Sequence, residues 1–192
     1  RSSDLLVPIA STFPKAQITA IDVSAPMLRY GHARAASLGV TNINFVQMSG
    51  EDLSAFDDGE FDLVMTSIFL HELSVKSLPM ILSEAARVLK PGGIMLHLEQ
   101  PQYSDDMPVF EQFIRDWDCY NNNEPFWGAM HDIDLVELIV DLGFDRAQIS
   151  HAAMRAKTAL DESGEKPAED YGRDAVWHAY VARKANLMMR PC

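Results

Sequence analysis

Three short stretches put chemistry-bearing side chains where regular elements end. In residues 17–28 (QITAIDVSAPML), a β-branched run over 18–23 carries Asp22 and then gives way to Ser24, a good helix N-cap, with Pro26 in the following first turn. A carboxylate at the C-terminal end of a buried parallel strand lies on the ligand-binding rim of an open α/β sheet. There it can accept hydrogen bonds from both vicinal hydroxyls of a ribose. The competing reading is a turn-forming acid. His71-Glu72, in IFLHEL, follows a second apolar run. A histidine on that rim can take a proton from a hydroxyl or amine near neutral pH, or it can be a packing residue at a helix start. Glu99-Gln100 closes a third run on the same rim and is a candidate for substrate contact.

Residues 101–131 form an aromatic-rich segment in which Trp117, Tyr120, Phe126 and Trp127 alternate with Asn121, Asn122, Asn123 and Glu124. Apolar faces mixed with hydrogen-bonding groups line small-molecule pockets. On this reading the acceptor is mid-sized and partly apolar, with Glu124 meeting a cationic or hydroxyl group. The alternative is a lid whose aromatics pack on the sheet and whose asparagines cap turns. His97 lies inside a strand, His131-Asp132 reads as a helix N-cap, and His151 and His178 lie in strands without ligand-like neighbours in sequence, so no metal is assigned.

The elements that must position these groups follow from periodicity and punctuation. Residues 2–13 and 24–38 read as helices, with Pro8 inside the first and Gly39 ending the second. Residues 18–23, 43–48, 61–68 and 93–100 read as strands, the third apolar enough to be covered on both faces. Residues 77–89 form a helix with Leu78, Ile81, Leu82, Ala85, Val88 and Leu89 inward, stopped by Lys90-Pro91-Gly92-Gly93. A helix over 132–142 ends at Gly143, and strands over 148–154 and 175–183 close the chain around a charged loop, DESGEKPAED. This order calls for a doubly wound, mostly parallel sheet in a single domain over 1–192, with 101–131 as a lid or pocket insertion.

The composition narrows the partners. A 192-residue chain at 47% hydrophobic content supports one sizeable core. A net charge of −12 argues against nucleic acid and against an anionic membrane surface. No apolar run reaches spanning length and no charged-then-apolar leader opens the chain. Cys119 and Cys192 make no disulfide framework or zinc spacing and read as reduced thiols of a cytoplasmic protein.

Four motifs recur in a known order: Asp22 at a strand end, Gly50-Glu51-Asp52-Leu53, Glu60-Phe61-Asp62-Leu63-Val64, and Val88-Leu89-Lys90-Pro91-Gly92-Gly93. The series resembles the class I S-adenosylmethionine-dependent methyltransferases, in particular the group that contains the ubiquinone and menaquinone biosynthesis enzymes. The resemblance implies a Rossmann-like, seven-stranded-type sheet with one antiparallel strand near its end and S-adenosylmethionine as cofactor. It implies that Asp22 holds the ribose with Val23 and Met27 beside the adenosine, and that Ser49, Gly50 and Glu51 meet the adenine. Thr66 and Ser67 fall beside the methionine end. Ser49 stands where the family usually has an acid, so it offers a hydroxyl without a charge. The family's first strand and glycine-rich loop have no counterpart here, and residue 1 falls just after them.

The expected function is methyl transfer to a small-molecule acceptor, with His71 as base and Glu99, Trp117, Tyr120, Asn123, Glu124 and Trp127 around the acceptor. Methyl transfer from a sulfonium is already activated, so proximity and alignment supply much of the rate. The alternative is a methyltransferase-like module that binds no cofactor and self-associates through its sheet as a homodimer. A nicotinamide-dependent oxidoreductase shares the strand-end acid but not the LKPGG stop.

Overall fold

A computed structural model describes residues 2–99, 107–121, 123–155 and 176–186. The loop DESGEKPAED, Gln100 and Cys192 lie outside these residues, as does Asn122. The chain divides into two compact units, Arg1–Phe56 and Asp57–Cys192.

The first unit begins with α1 (Ser2–Thr12), which Pro8 does not break. It continues through β1 (Ile18–Asp22), α2 (Ala25–Ser37) and β2 (Ile43–Gln47). β1 and β2 pair in parallel from Ile18 opposite Ile43 to Asp22 opposite Gln47. Its core is small: Val7, Ala10, Ala20, Leu28, Ala35 and Leu53. The Asn42 amide reaches back to the carbonyls of Ala10, Phe13 and Ala16, the last at 2.9 Å, and so satisfies the open end of α1. Gly39, at φ +69°, terminates α2 in the left-handed conformation that a residue with a side chain adopts only under strain.

The second unit holds β3 (Phe61–Ser67), a 3₁₀ turn (Leu70–Glu72), α3 (Ser77–Val88) and β4 (Leu89–Glu99). Then come α4 (Val109–Asn121), α5 (Trp127–His131), α6 (Leu135–Asp141), β5 (Ile149–Arg155) and β6 (Val176–Arg183). The strands order as β3-β4-β6-β5, with β3 parallel to β4 and β6 antiparallel to both β4 and β5. One antiparallel strand in a mixed sheet is what the resemblance implied. The core joins α3 and α6 to the sheet through Leu78, Leu82, Leu135, Ile139, Met95 and Tyr180.

Several expectations are corrected. β3 is the last described strand of its sheet and leaves Leu63 47% exposed, so its apolar run is not covered throughout. Leu89 to Gly93 belong to β4: the pairing jumps from Phe61–Leu89 to Leu63–Ile94, and the bulge absorbs Pro91 and Gly92 (φ +76°). α3 ends at Val88, where Leu89 turns extended ahead of Lys90-Pro91, and the Lys184 ammonium donates to the carbonyls of Ala86 at 2.6 Å and Leu89 at 2.7 Å. His131 closes α5 and does not cap α6. Asp134 is the cap, accepting the Glu137 amide at 3.0 Å.

Candidate functional site

In the first unit, parallel pairing brings the chains leaving β1 and β2 side by side. The Asp22 carbonyl accepts the Met48 amide at 3.1 Å, and the Gln47 side-chain amide donates to Val23 O at 3.0 Å. Asp22 is half-buried, and its Oδ1 accepts the Ser24 amide at 2.8 Å in a local turn. The Ser24 hydroxyl caps nothing, although Ser24 occupies the N-cap of α2. Asp22 therefore fills the turn role read from the sequence. One oxygen holds the turn, and Oδ2 has no partner among the described residues. Val23 is exposed and Met27 half-buried next to it. In the neighbouring loop the Ser49 hydroxyl accepts the Glu51 amide at 3.2 Å, so this serine is turned into its own loop, with Ser49, Gly50 and Glu51 all half-buried. A spare carboxylate oxygen beside an exposed apolar side chain fits a ribose and the base it carries.

In the second unit, register does the positioning. Thr66 lies opposite His97, and Ser67 opposite Leu98. Ile68 leaves β3 at φ +51°, a conformation costing a β-branched residue about 1–3 kcal/mol. That turn points the next two amides at Glu99. Its Oε2 accepts from Phe69 at 3.1 Å and Leu70 at 2.9 Å, and its Oε1 accepts from His71 Nδ1 at 2.6 Å. Both side chains are buried. Because a carboxylate only accepts, Nδ1 carries the proton and the imidazole lone pair sits on Nε2. Burial by itself lowers the His71 pKa. The hydrogen bond to Glu99, together with the charges of Glu99, Glu124 and Glu72, outweighs it and leaves the pKa raised. A raised, oriented histidine can accept a proton at or above neutral pH.

Glu99 thus departs from the substrate contact expected of it: it is buried beneath His71 and holds the ring. The signal for this pair was available, since Glu99 closes one strand and His71 follows another, but their pairing needed the register. His97 is fully buried, bonded through Nδ1 to Thr66 Oγ1 at 2.7 Å, with Nε2 unpartnered. Burial depresses its pKa to about 4 against the opposing charge of Glu99, so it stays neutral.

The lid segment divides. Glu124 lies close enough for its charge to act on His71, and α5 packs beside the 3₁₀ turn that carries this histidine. Asn123 sits at φ +56° next to it. Trp117 and Tyr120, by contrast, stand exposed on α4. Trp127 opens α5. His151 Nε2 and His178 Nδ1 are 2.7 Å apart, with Tyr180 stacked on His151 at 4.3 Å, a pairing that register alone creates. Among the described residues no three His, Cys, Asp or Glu side chains gather as metal ligands, and no helix is long and apolar enough to cross a membrane.

Comparison with known proteins bears on this frame. The methyltransferase-domain family matches residues 2–93. The ubiquinone/menaquinone biosynthesis C-methyltransferase of Brucella anthropi is 36% identical over 104 residues, 54% of this chain, and the match spans 38% of that relative's length. An S-adenosylmethionine-dependent methyltransferase structure from Methanosarcina mazei superposes with a TM-score of 0.60 at 21% identity, covering 88% of this chain and 82% of its own. One from Aquifex aeolicus gives 0.59 at 17% identity, covering 95% and 77%. Over residues 2–93 the sequence is similar to the methyltransferase-domain family, and the fold is similar to that of S-adenosylmethionine-dependent methyltransferases.

Proposed function

We propose that this protein moves a methyl group from S-adenosylmethionine to a small-molecule acceptor whose reacting position sheds a proton to His71. The observation that carries this reading is the buried Glu99–His71 pair at the C-terminal ends of β3 and β4. When bound, the cofactor supplies a methyl group already activated by its sulfonium. The residues of the chain have three tasks. Asp22 accepts hydrogen bonds from the ribose, with Val23, Met27 and the 49–51 loop beside the nucleoside. Thr66 and Ser67 stand at the methionine end. His71 Nε2 takes the acceptor's proton, and Glu99 holds the ring in the required tautomer and stabilises the imidazolium that forms. Asn123 and Glu124 contact the acceptor. The similarity to C-methyltransferases over 104 residues supports a carbon acceptor with an acidic proton.

Calorimetric titration with S-adenosylhomocysteine tests the cofactor half of the proposal. Saturable heat is expected, and its absence at millimolar ligand overturns it. Product analysis with a methyl-labelled donor then reads the atom methylated.

A further inference from the structure

Helix α4 faces the wrong way for a helix that ends at a protein surface. At 100° per residue, Val109, Phe110, Phe113, Trp117 and Tyr120 fall within one arc of roughly 100°. A surface helix normally buries such an arc. Here Phe110 is 60%, Phe113 57%, Trp117 51% and Tyr120 89% exposed. The half-buried positions are Glu111, Gln112, Ile114 and Cys119, centred on the opposite side, two of them polar. The Gln112 amide donates to Met107 O at 2.8 Å there. Burial of the Cys119 thiol raises its pKa, with Asp116 and Glu124 adding to the effect. The most apolar side is turned outward and a mixed side inward, which is the pattern of a helix with a second neighbour.

We infer that this face is a two-fold interface with a second copy of the chain. Four rings at these exposures present roughly 500 Å² of side chain per copy, taking about 200 Å² for each aromatic. Two copies then bury about 1,000 Å² before Val109 and the rim are added, which meets what a specific dimer requires. The surface is a convex helix face, whereas small-molecule sites are concave, so the stripe itself is not an acceptor pocket. A membrane-surface helix would carry several Lys and Arg along its polar side, whereas α4 carries Arg115 alone against Glu111, Asp116 and Asp118. Self-association about a two-fold axis needs only this one patch, pairing Phe113 and Trp117 near its centre with the same residues of the other copy.

Sedimentation equilibrium of the intact chain, from about 1 to about 200 µM, is the test. The expected mass approaches twice 21.4 kDa. The double variant Phe113→Asp with Trp117→Asp should weaken the dimer by at least about 100-fold, since a buried uncompensated charge is costly at an interface core. Circular dichroism checks that the variant folds, and Tyr120→Asp, at the most exposed ring, is the substitute if it does not. A wild-type chain that stays monomeric throughout overturns the inference. So does a dimer that the folded variants leave unchanged, or a monomer that binds zwitterionic vesicles through α4.

Discussion

The two rims differ in how they hold a carboxylate. Asp22 is half-exposed, keeps one oxygen for a local turn two residues away and leaves the other unpartnered among the described residues. Glu99 is buried, with both oxygens occupied by groups 28 to 30 residues away in sequence. An acid kept partly unsatisfied at a surface is suited to receive a ligand. An acid saturated in the interior is suited to position another side chain. Residue type alone does not separate the two tasks. The number of protein donors already spent on each oxygen does.

The comparison breaks most decisively at the histidine. His71→Ala should lower kcat by about 10²–10⁴-fold while S-adenosylhomocysteine affinity stays within about twofold, read by single-turnover kinetics and calorimetry. In the wild type, kcat/KM should rise with pH along a limb whose pKa lies above the ordinary histidine value of about 6.5, because the base must be unprotonated and its pKa is raised. Glu99→Gln should move that limb to lower pH, since burial then acts without the opposing charge. A limb that stays in place would separate Glu99 from catalysis.

Glu99→Ala should cost about 3–5 kcal/mol of stability, because the Phe69 and Leu70 amides and the His71 ring lose a buried charged partner together. Denaturant unfolding measures it, and a cost under about 1 kcal/mol would mean the rim relaxes around the loss.

His71 and His97, both buried, should respond to acid in opposite senses. His71, with a raised folded pKa, contributes fully below about pH 6.5, and its contribution is lost as pH rises through the folded value. His97 titrates near 4 when folded, so only the unfolded chain binds its proton between about pH 6.5 and 4. Its contribution is intact above that window and falls by about 3 kcal/mol across it. His97→Asn should flatten this acid loss in a series of unfolding curves, and an unchanged slope would assign the loss elsewhere.

The smallest expected effect lies on the exposed rim. Asp22→Ala should weaken S-adenosylhomocysteine binding by about 1.5–3 kcal/mol, the value of hydrogen bonds to a charged acceptor. Folding stability should change little beyond the loss of one turn bond to Ser24. Calorimetry reads the first and thermal unfolding the second. Equal losses in both would make Asp22 a turn residue before a ligand residue.

Short-range physics wrote much of this molecule into its sequence. The β-branched run before Asp22, the proline-led start of α2 and five of the six inward positions read for α3 all appear where pattern and turn chemistry put them. The parallel pairing of β1 and β2 and a single antiparallel strand, β6, agree with the fold that the motif series implied. Tertiary structure decided what depends on residues far apart. The bulge that draws Leu89 to Gly93 into β4 requires Phe61 and Ile94 in register. The pairing of Glu99 with His71, of His97 with Thr66 and of His151 with His178 arises only when the strands align. Which side of α4 meets the protein was likewise invisible, since periodicity marks an apolar arc but not what covers it. Local chemistry therefore placed Asp22 at its strand end and singled out His71, whereas the pairing of His71 with Glu99 emerged from strand register.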